Sequence, residues 1–215
     1  DSYSQERIGA FRINAESAMR STEFMSPPSR GFDLLREAAL SLAARHRDIA
    51  QLINPRQTEA VSYLDSPLST ADRLDDGIAP GRLLPDFPLQ PDGHLTERLG
   101  AGFALLVLAA DKPDPRLALA ADEAAQRLGL PLQRLLVTPP GPDRTRRVRD
   151  GWKQACAAAQ VFASHAPQGD ITYLLRPDRH VAARWLPGGG NAPDVAAALS
   201  RACGMGQYQP TEIAT

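Results

Sequence analysis

Two cysteines are the first residues of this 215-residue chain that could do chemistry, because a thiolate is a strong nucleophile and metal ligand. A reactive cysteine usually lies at a helix N-terminus beside a basic group. The sequence instead places Cys156 in the middle of a predicted alanine-rich helix and Cys203 near the end of another. We therefore expect both to be small, buried apolar side chains. Their wide separation fits a reducing cytoplasm better than a disulfide framework.

The histidines lack the paired spacing of a metal site, and none has a cysteine as a neighbour. His46 falls in an apolar helical stripe, where a histidine packed in a core or an interface is the common case. The others are scattered over a connector, a loop and a hairpin strand, at His94, His165 and His180. The sequence therefore predicts no metal site.

Two further groups of residues could bind an anion. The basic group lies between Asp143 and Asp150, which favours a solvated loop and first helical turn; it consists of Arg144, Arg146, Arg147 and Arg149. Gly188-Gly189-Gly190-Asn191 could present backbone N–H groups to a phosphate, although a plain strand-to-helix turn explains it equally well. No dinucleotide fingerprint, Walker loop or nucleophile elbow occurs in the sequence. We therefore assign no catalytic, cofactor-binding or metal-binding residue.

Charge and hydropathy exclude several classes of partner. The formal net charge is −1, which gives no reason to expect a nucleic acid or an anionic membrane as partner. The longest apolar run, residues 103–110, is much shorter than a membrane span. No secretion signal opens the chain, so we expect a cytoplasmic protein.

The first part of the chain predicts two amphipathic helices. Apolar residues recur at steps of three and four between about Tyr3 and Phe24. Pro27-Pro28 ends this helix, and Ser29 caps a second one that we expect to continue to Asn54-Pro55. These helices cannot bury their apolar faces on each other alone, so they need an upstream domain, a second copy of the chain, or both. The residues expected at such an interface are Phe11, Met19, Leu35, Leu42 and Ile49.

The chain begins without Met and already in a helical pattern, so we interpret it as a fragment of a longer protein. After a short strand predicted at residues 61–64, residues 65–95 contain many Pro and Gly residues. This composition predicts an extended connector. We therefore divide the chain into a helical segment (1–64), a connector (65–95), a third domain (96–204) and a loose tail (205–215).

The third domain is predicted to be α/β. A helix between two buried strands forces a parallel pair, and the turn Arg176-Pro177-Asp178-Arg179 adds an antiparallel hairpin. The result is a mixed four-stranded sheet. The predicted strands are residues 103–108, 132–138, 171–175 and 180–185, and the helices are residues 116–128, 150–164 and 192–203.

This order of elements is that of thioredoxin, but the redox residues are missing. Asp111-Lys112-Pro113-Asp114 occupies the place of the Cys-x-x-Cys motif. Thioredoxins also have a cis-proline directly before their third strand, whereas the nearest proline here is Pro167, several residues too early. We therefore predict a thioredoxin-like domain without thiol chemistry.

Three stretches of the chain resemble the C-terminal third of FAD-dependent aromatic-ring hydroxylases, including those of the phenol and 3-hydroxyphenylpropionate hydroxylase type. Ser2-Tyr3-Ser4-Gln5-Glu6-Arg7 is similar to the start of the long helix after the FAD domain in that family. Pro80-Gly81-Arg82-Leu83-Leu84-Pro85, followed by Leu99-Gly100-Ala101-Gly102-Phe103-Ala104-Leu105-Leu106, resembles the opening of the family's thioredoxin-like domain. Leu174-Leu175-Arg176-Pro177-Asp178-Arg179-His180-Val181-Ala182 resembles its hairpin, although Trp185 stands two residues later than the family's Trp.

The resemblance implies an enzyme that binds FAD, takes a hydride from NADH or NADPH and uses O2 to hydroxylate a phenolic ring. FAD and NAD(P)H would both bind upstream of this chain. The chain itself would be non-catalytic, with the upstream FAD-binding domain as its partner and a homodimer as the expected assembly. Two alternatives stay open, a free-standing thioredoxin-like oxidoreductase or peroxidase and a dimeric scaffold attached to no enzyme.

Overall fold

The computed structural model of the protein describes residues 1–53, 60–110, 115–140, 151–187 and 194–205, with the side chains of 51–53 and 115 left undescribed. Residues 3–61 form one compact unit, and the described residues from Ser62 onward form another. No helix within these ranges combines the length and the apolar character needed to cross a bilayer.

The first unit consists of helices α1 (Ser2–Met25), α2 (Arg30–Ala43) and α3 (Arg47–Ile53). Ser29 caps α2 as predicted, since its hydroxyl accepts a hydrogen bond from the Phe32 N–H. The second predicted helix does not run unbroken to residue 53. The N–H groups of Arg45 and His46 both donate to the carbonyl of Leu42, which closes the last turn of α2 before α3 begins.

The first unit has almost no core of its own. Ala10 is the only buried side chain described in it, and α2 has none. Helices of this length gain most of their stability in proteins from packing an apolar face, and contacts within this unit supply little of that packing.

The second unit is built on a sheet with the order β3-β2-β1-β4-β5. Strand β1 pairs in parallel with β2 and antiparallel with β4, while β4 and β5 form the antiparallel hairpin. The elements in chain order are α4 (Leu95–Arg98), β1 (Phe103–Leu108), α5 (Pro115–Leu128), β2 (Leu132–Thr138), β3 (Lys153–Cys156), α6 (Ala159–His165), β4 (Ile171–Leu175), β5 (Val181–Trp185) and α7 (Val195–Ala202). The α/β class and the mixed sheet with a thioredoxin-like order are confirmed.

The sheet has five strands, so the predicted count of four is wrong. Residues 150–164 were predicted as one helix from their alanine content, but Lys153–Cys156 forms β3, parallel to β2, and only Ala159–His165 is helical. Pairing with the edge of β2 satisfies the backbone groups of these residues, and this tertiary contact outweighs the helix propensity of alanine.

Two smaller predictions also need correction. Residues 61–64 do not form a strand, although the Tyr63 N–H donates to the carbonyl of Gly81. The hairpin strand starts at Val181 because His180 forms an isolated bridge with Leu83 instead.

Side chains cover the sheet on both faces. On one face, Leu105 of β1 packs with α5 and α7, through residues such as Ala121 and Leu199. On the other face, Leu106 packs with α6 and with apolar side chains of the connector, namely Leu84, Phe87 and Leu89. The second half of the predicted connector is therefore part of the core.

Candidate functional site

Neither cysteine has the surroundings of a nucleophile. Cys156 lies at the end of β3, not in a helix as predicted, and its Sγ is 3.5 Å from the Thr138 hydroxyl. Cys203 follows the last residue of α7, and burial raises the pKa of its thiol. Because a reactive cysteine needs a lowered pKa, Cys203 is in the wrong environment for thiol chemistry. Both side chains are half-buried, which partly agrees with the predicted packing role.

The position before the third strand of the thioredoxin order, β4, is occupied by Asp170. Its carboxylate accepts a hydrogen bond of 2.9 Å from the N–H of Ala110, just beyond β1. Thus Asp170, at the place of the thioredoxin cis-proline, is hydrogen-bonded to the residue directly before the stretch that stands in place of the cysteines. Residues 111–114, which stand in place of the Cys-x-x-Cys motif, lie outside the described residues.

The two predicted anion-binding groups lie in residues 141–150 and 188–193, which are also outside the described ranges. Within those ranges, no group of His, Cys, Asp or Glu could hold a metal ion. Of the two predicted positions for His46, a core or an interface, a core is wrong because His46 is exposed, and an interface stays a prediction. His165 and His180 are buried, while the side chain of His94 lies near the surface beside Asp86.

A buried arginine that the sequence did not single out organises the second unit. Arg184 of β5 is 4% exposed. Its Nε and Nη2 donate to the two carboxylate oxygens of Asp72, at 2.6 and 2.9 Å. The other donors reach the carbonyls of Asp76, at 2.6 Å, and Leu74. Burial would lower the pKa of Arg184, but the hydrogen bonds and charge of Asp72 outweigh burial and raise it.

A second polar contact lies beside this arginine. The Tyr173 hydroxyl of β4 donates to the carbonyl of His165 and accepts a hydrogen bond of 3.2 Å from the N–H of Ile78. Burial raises the pKa of Tyr173. The side chains of Arg184 and Tyr173 therefore hold the stretch from Asp72 to Ile78 against the sheet.

The Arg-Pro-Asp sequence of the hairpin serves the turn. Asp178 accepts hydrogen bonds from the Arg176 guanidinium at 2.8 Å and from the His180 N–H at 3.2 Å. Burial opposes ionisation, but the hydrogen bond from the His180 side chain and the charge of Arg176 outweigh it and lower the pKa of Asp178 to about 2. Arg179 has a φ of 68°, a left-handed conformation that is common in tight turns. This motif is therefore structural.

The most distinctive surface of the chain is apolar and belongs to the first unit. Of the fourteen large apolar side chains that are exposed among the described residues, eleven lie in this unit. They are Tyr3, Ile8, Phe11, Ile13, Met19, Met25, Phe32, Leu34, Leu35, Leu40 and Leu42. Large exposed apolar patches are uncommon on monomeric proteins and are typical of interaction sites.

On α1 these residues follow a stripe with helical spacing. It runs along the exposed residues Ile8, Phe11, Met19 and Met25, with the half-buried Ala15 between them, and Phe11 is 71% exposed. Most residues of α1 that are buried or half-buried lie on another side of the helix and include Glu6, Ala10, Ser17 and Ser21. Four of the five stripe residues are thus exposed.

The residues predicted at an interface are mostly exposed. Phe11, Met19, Leu35 and Leu42 are all available for contact with a partner, whereas Ile49 of α3 is half-buried.

Comparison with known proteins identifies solved structures with a similar fold. No protein-family model and no curated sequence matches the chain. The rebeccamycin biosynthetic enzyme RebC, solved with reduced flavin, aligns with 95% of this chain at 19% identity and a TM-score of 0.57. RebC-10x, solved with 7-carboxy-K252c after soaking with chromopyrrolic acid, aligns over the same share with a TM-score of 0.58. The flavin-dependent monooxygenase PieE, solved with FAD and substrate, also aligns over 95%, at 19% identity and a TM-score of 0.55.

The chain spans only 36% of RebC and 38% of PieE. The likeness includes the helical unit as well as the thioredoxin-like unit, since it covers nearly the whole chain. The protein therefore shares the fold of one part of these larger flavin enzymes.

Proposed function

We propose that this chain is the C-terminal part of an FAD-dependent aromatic-ring hydroxylase that uses NAD(P)H and O2 to hydroxylate phenolic compounds. Within that enzyme, the chain provides structural support or subunit association. The observation that carries the proposal is the shared fold with RebC and PieE over 95% of the chain. The three sequence stretches that resemble the hydroxylase family add independent support, because they occur along the chain in the family's order.

FAD and NAD(P)H bind elsewhere in the whole enzyme under this proposal. Arg184 is a buried cation, but its donors already bond Asp72 and the carbonyls of Leu74 and Asp76, which supports this assignment. No step of the proposed reaction takes place on this chain.

The uncovered apolar stripe of α1 and the exposed residues of α2 are the docking surface in this proposal. Burying an apolar side chain such as Phe11 stabilises an interface by about 1.5–3 kcal/mol. The FAD-binding part of the same polypeptide is the partner that covers the stripe. Assembly of the whole cytoplasmic enzyme into a homodimer belongs to the same proposal.

The rival thiol oxidoreductase is disfavoured by the site that such an enzyme would use. Cys203 has a raised pKa, and Asp170 stands where a thioredoxin has its cis-proline. The rival dimeric scaffold differs from the proposal only in having no flavin domain attached. The coding sequence upstream of this chain therefore distinguishes the scaffold from the proposed hydroxylase.

The deciding experiment reads the gene upstream of the codon for Asp1 and expresses the full reading frame. We expect an in-frame dinucleotide fingerprint, a purified protein with bound FAD, and NAD(P)H oxidation that phenolic compounds stimulate. The isolated chain, purified in parallel, should contain no FAD and oxidise no NAD(P)H. A start codon directly before Asp1, or flavin-dependent NAD(P)H oxidation by the isolated chain, would overturn the proposal.

A further inference from the structure

The helical unit, residues 3–61, buries very little apolar surface. Ala10 is the only side chain buried among its described residues, although some others, such as Phe24 and Ile49, are half-buried. None of the half-buried side chains of α2 is a large apolar one; they are Asp33, Arg36, Ala39 and Ala43. Because helices in proteins gain most of their stability from packing an apolar face, α1 and α2 receive little of it.

Local interactions within these helices add only modest stability. Asp1 caps α1 and Ser29 caps α2. Within α1, however, the hydroxyls of Ser21 and Thr22 donate to carbonyls one turn earlier at 2.9 Å, a pattern that slightly destabilises helices. Gly9 also lies inside α1, where glycine is a poor helix former.

The thioredoxin-like unit is stabilised in a different way. Leu105, Leu106 and Leu108 of β1 are fully buried, and each face of the sheet has its own core. Proteins open locally with free energies that range from near zero to that of complete unfolding, and segments with few buried apolar contacts open most easily. The helical unit therefore belongs at the low end of this range, and the sheet belongs at the high end.

We propose that the helical unit unfolds and refolds while the thioredoxin-like unit stays folded, and that docking of the apolar stripe of α1 keeps it folded. The docking partner is the FAD-binding part of the same polypeptide, so the docking half of this inference rests on the proposed function. RebC and PieE support this choice of partner. They share the fold of 95% of this chain, which includes the helical unit, although the chain spans only 36% and 38% of them.

Amide hydrogen exchange, measured residue by residue on the isolated chain, tests the independent opening. The amides of Ala15 and Ala39 report on α1 and α2, and those of Leu106 and Leu136 report on the centre of the sheet. We expect the two helix amides to be protected at least about a hundredfold less than the two sheet amides. Equal protection of the two pairs would overturn the proposal.

Two variants test whether the units open separately. Gly9→Ala places a methyl group where no atom lies within 4 Å and should slow exchange at Ala15 by up to about fivefold, with no change at Leu106. Ile171→Val makes a small cavity in the core of the sheet and should speed exchange at Leu106 by about two- to tenfold, with no change at Ala15. Equal changes at Ala15 and Leu106 in either variant would show that the chain opens as one unit, contrary to the proposal.

The same measurement on the full-length protein tests the docking half. Ala15 should exchange at least about tenfold more slowly there than in the isolated chain. Phe11→Ser should reverse this slowing, whereas Ile13→Ser, on another side of α1, should not. A full-length protein that binds FAD but leaves exchange at Ala15 unchanged would overturn the docking and not the proposed function. A reading frame without an FAD-binding part would overturn the proposed function and the docking together, while the isolated chain still decides the independent opening.

Discussion

At the scale of single residues, the burial of Arg184 is a feature that the sequence did not predict. Its strand reads Val-Ala-Ala-Arg-Trp, and nothing in that pattern shows that the arginine is buried. Its partner Asp72 is 112 positions away in a segment without regular structure. Burial of an arginine is tolerated only when acceptors surround it, and those acceptors come from the fold.

The positions of the cysteine side chains were only partly predicted at this scale. From residue types and spacing, the sequence predicts no metal site and no redox motif. It placed Cys156 in a helix, however, because alanine content cannot show that β2 has an edge available for pairing.

His165 should make the stability of the protein sensitive to acid. Its side chain is buried beside Phe87, and this burial lowers its pKa below the ordinary value of 6.5. The unfolded state therefore binds more protons than the folded state once the pH falls below about 6.5, so stability is full above that pH and is lost as the pH falls. The loss per titrating histidine is at most about 1.4 kcal/mol per pH unit.

Urea denaturation between pH 7.5 and 5.5 measures this loss. The variant His165→Asn should show a shallower dependence on pH, because it removes the buried titrating group. His46→Asn is the matched control for the substitution itself, since it makes the same replacement at an exposed position. Equal pH dependence in the original protein and in His165→Asn would contradict the prediction.

At the scale of elements, local sequence signals worked best where a single residue type is required. Gly129 follows α5 with a φ of 65°, a left-handed conformation that glycine adopts without steric cost. Ser29 was recognised as a cap for an equally local reason. The break between α2 and α3 was missed because no Gly or Pro marks it.

Two glycines with open space around them should respond in opposite ways to replacement by alanine. Gly9 lies inside α1, where alanine has the higher helix propensity, so Gly9→Ala should stabilise the helix by up to about 1 kcal/mol. Gly129 has a positive φ, so Gly129→Ala should destabilise the protein by about 1–2 kcal/mol. Thermal unfolding followed by circular dichroism measures both effects. If the two variants changed the melting temperature in the same direction, the backbone conformation would not explain the effect of alanine at these positions.

At the scale of the whole molecule, the helical unit and the thioredoxin-like unit differ in how they are stabilised. The second unit has a core on each face of its sheet, whereas the first has almost no buried side chain. The sequence predicted this imbalance, since two amphipathic helices without a covering layer cannot form a core. It did not show which side of α1 stays uncovered, because that depends on contacts that form only in the fold.

The uncovered stripe of α1 should matter more in the full enzyme than in this chain. Phe11→Ser removes an apolar contact with the proposed partner and should lower the stability of the full-length flavoprotein by about 1.5–3 kcal/mol. Ile13→Ser changes an apolar side chain that is also exposed but lies on another side of α1, so its effect should stay within about 0.5 kcal/mol. Denaturation followed by flavin fluorescence measures both, and equal effects would place the docking surface elsewhere.

The hydrogen bond between Asp170 and Ala110 has a consequence for protein engineering. Introducing cysteines at positions 111 and 114 would create the Cys-x-x-Cys sequence directly after Ala110. The carboxylate of Asp170 would remain bound to the preceding backbone N–H, and a nearby negative charge raises the pKa of a thiol. A designer who wants a working dithiol in this scaffold therefore has to replace Asp170 together with the two cysteine positions.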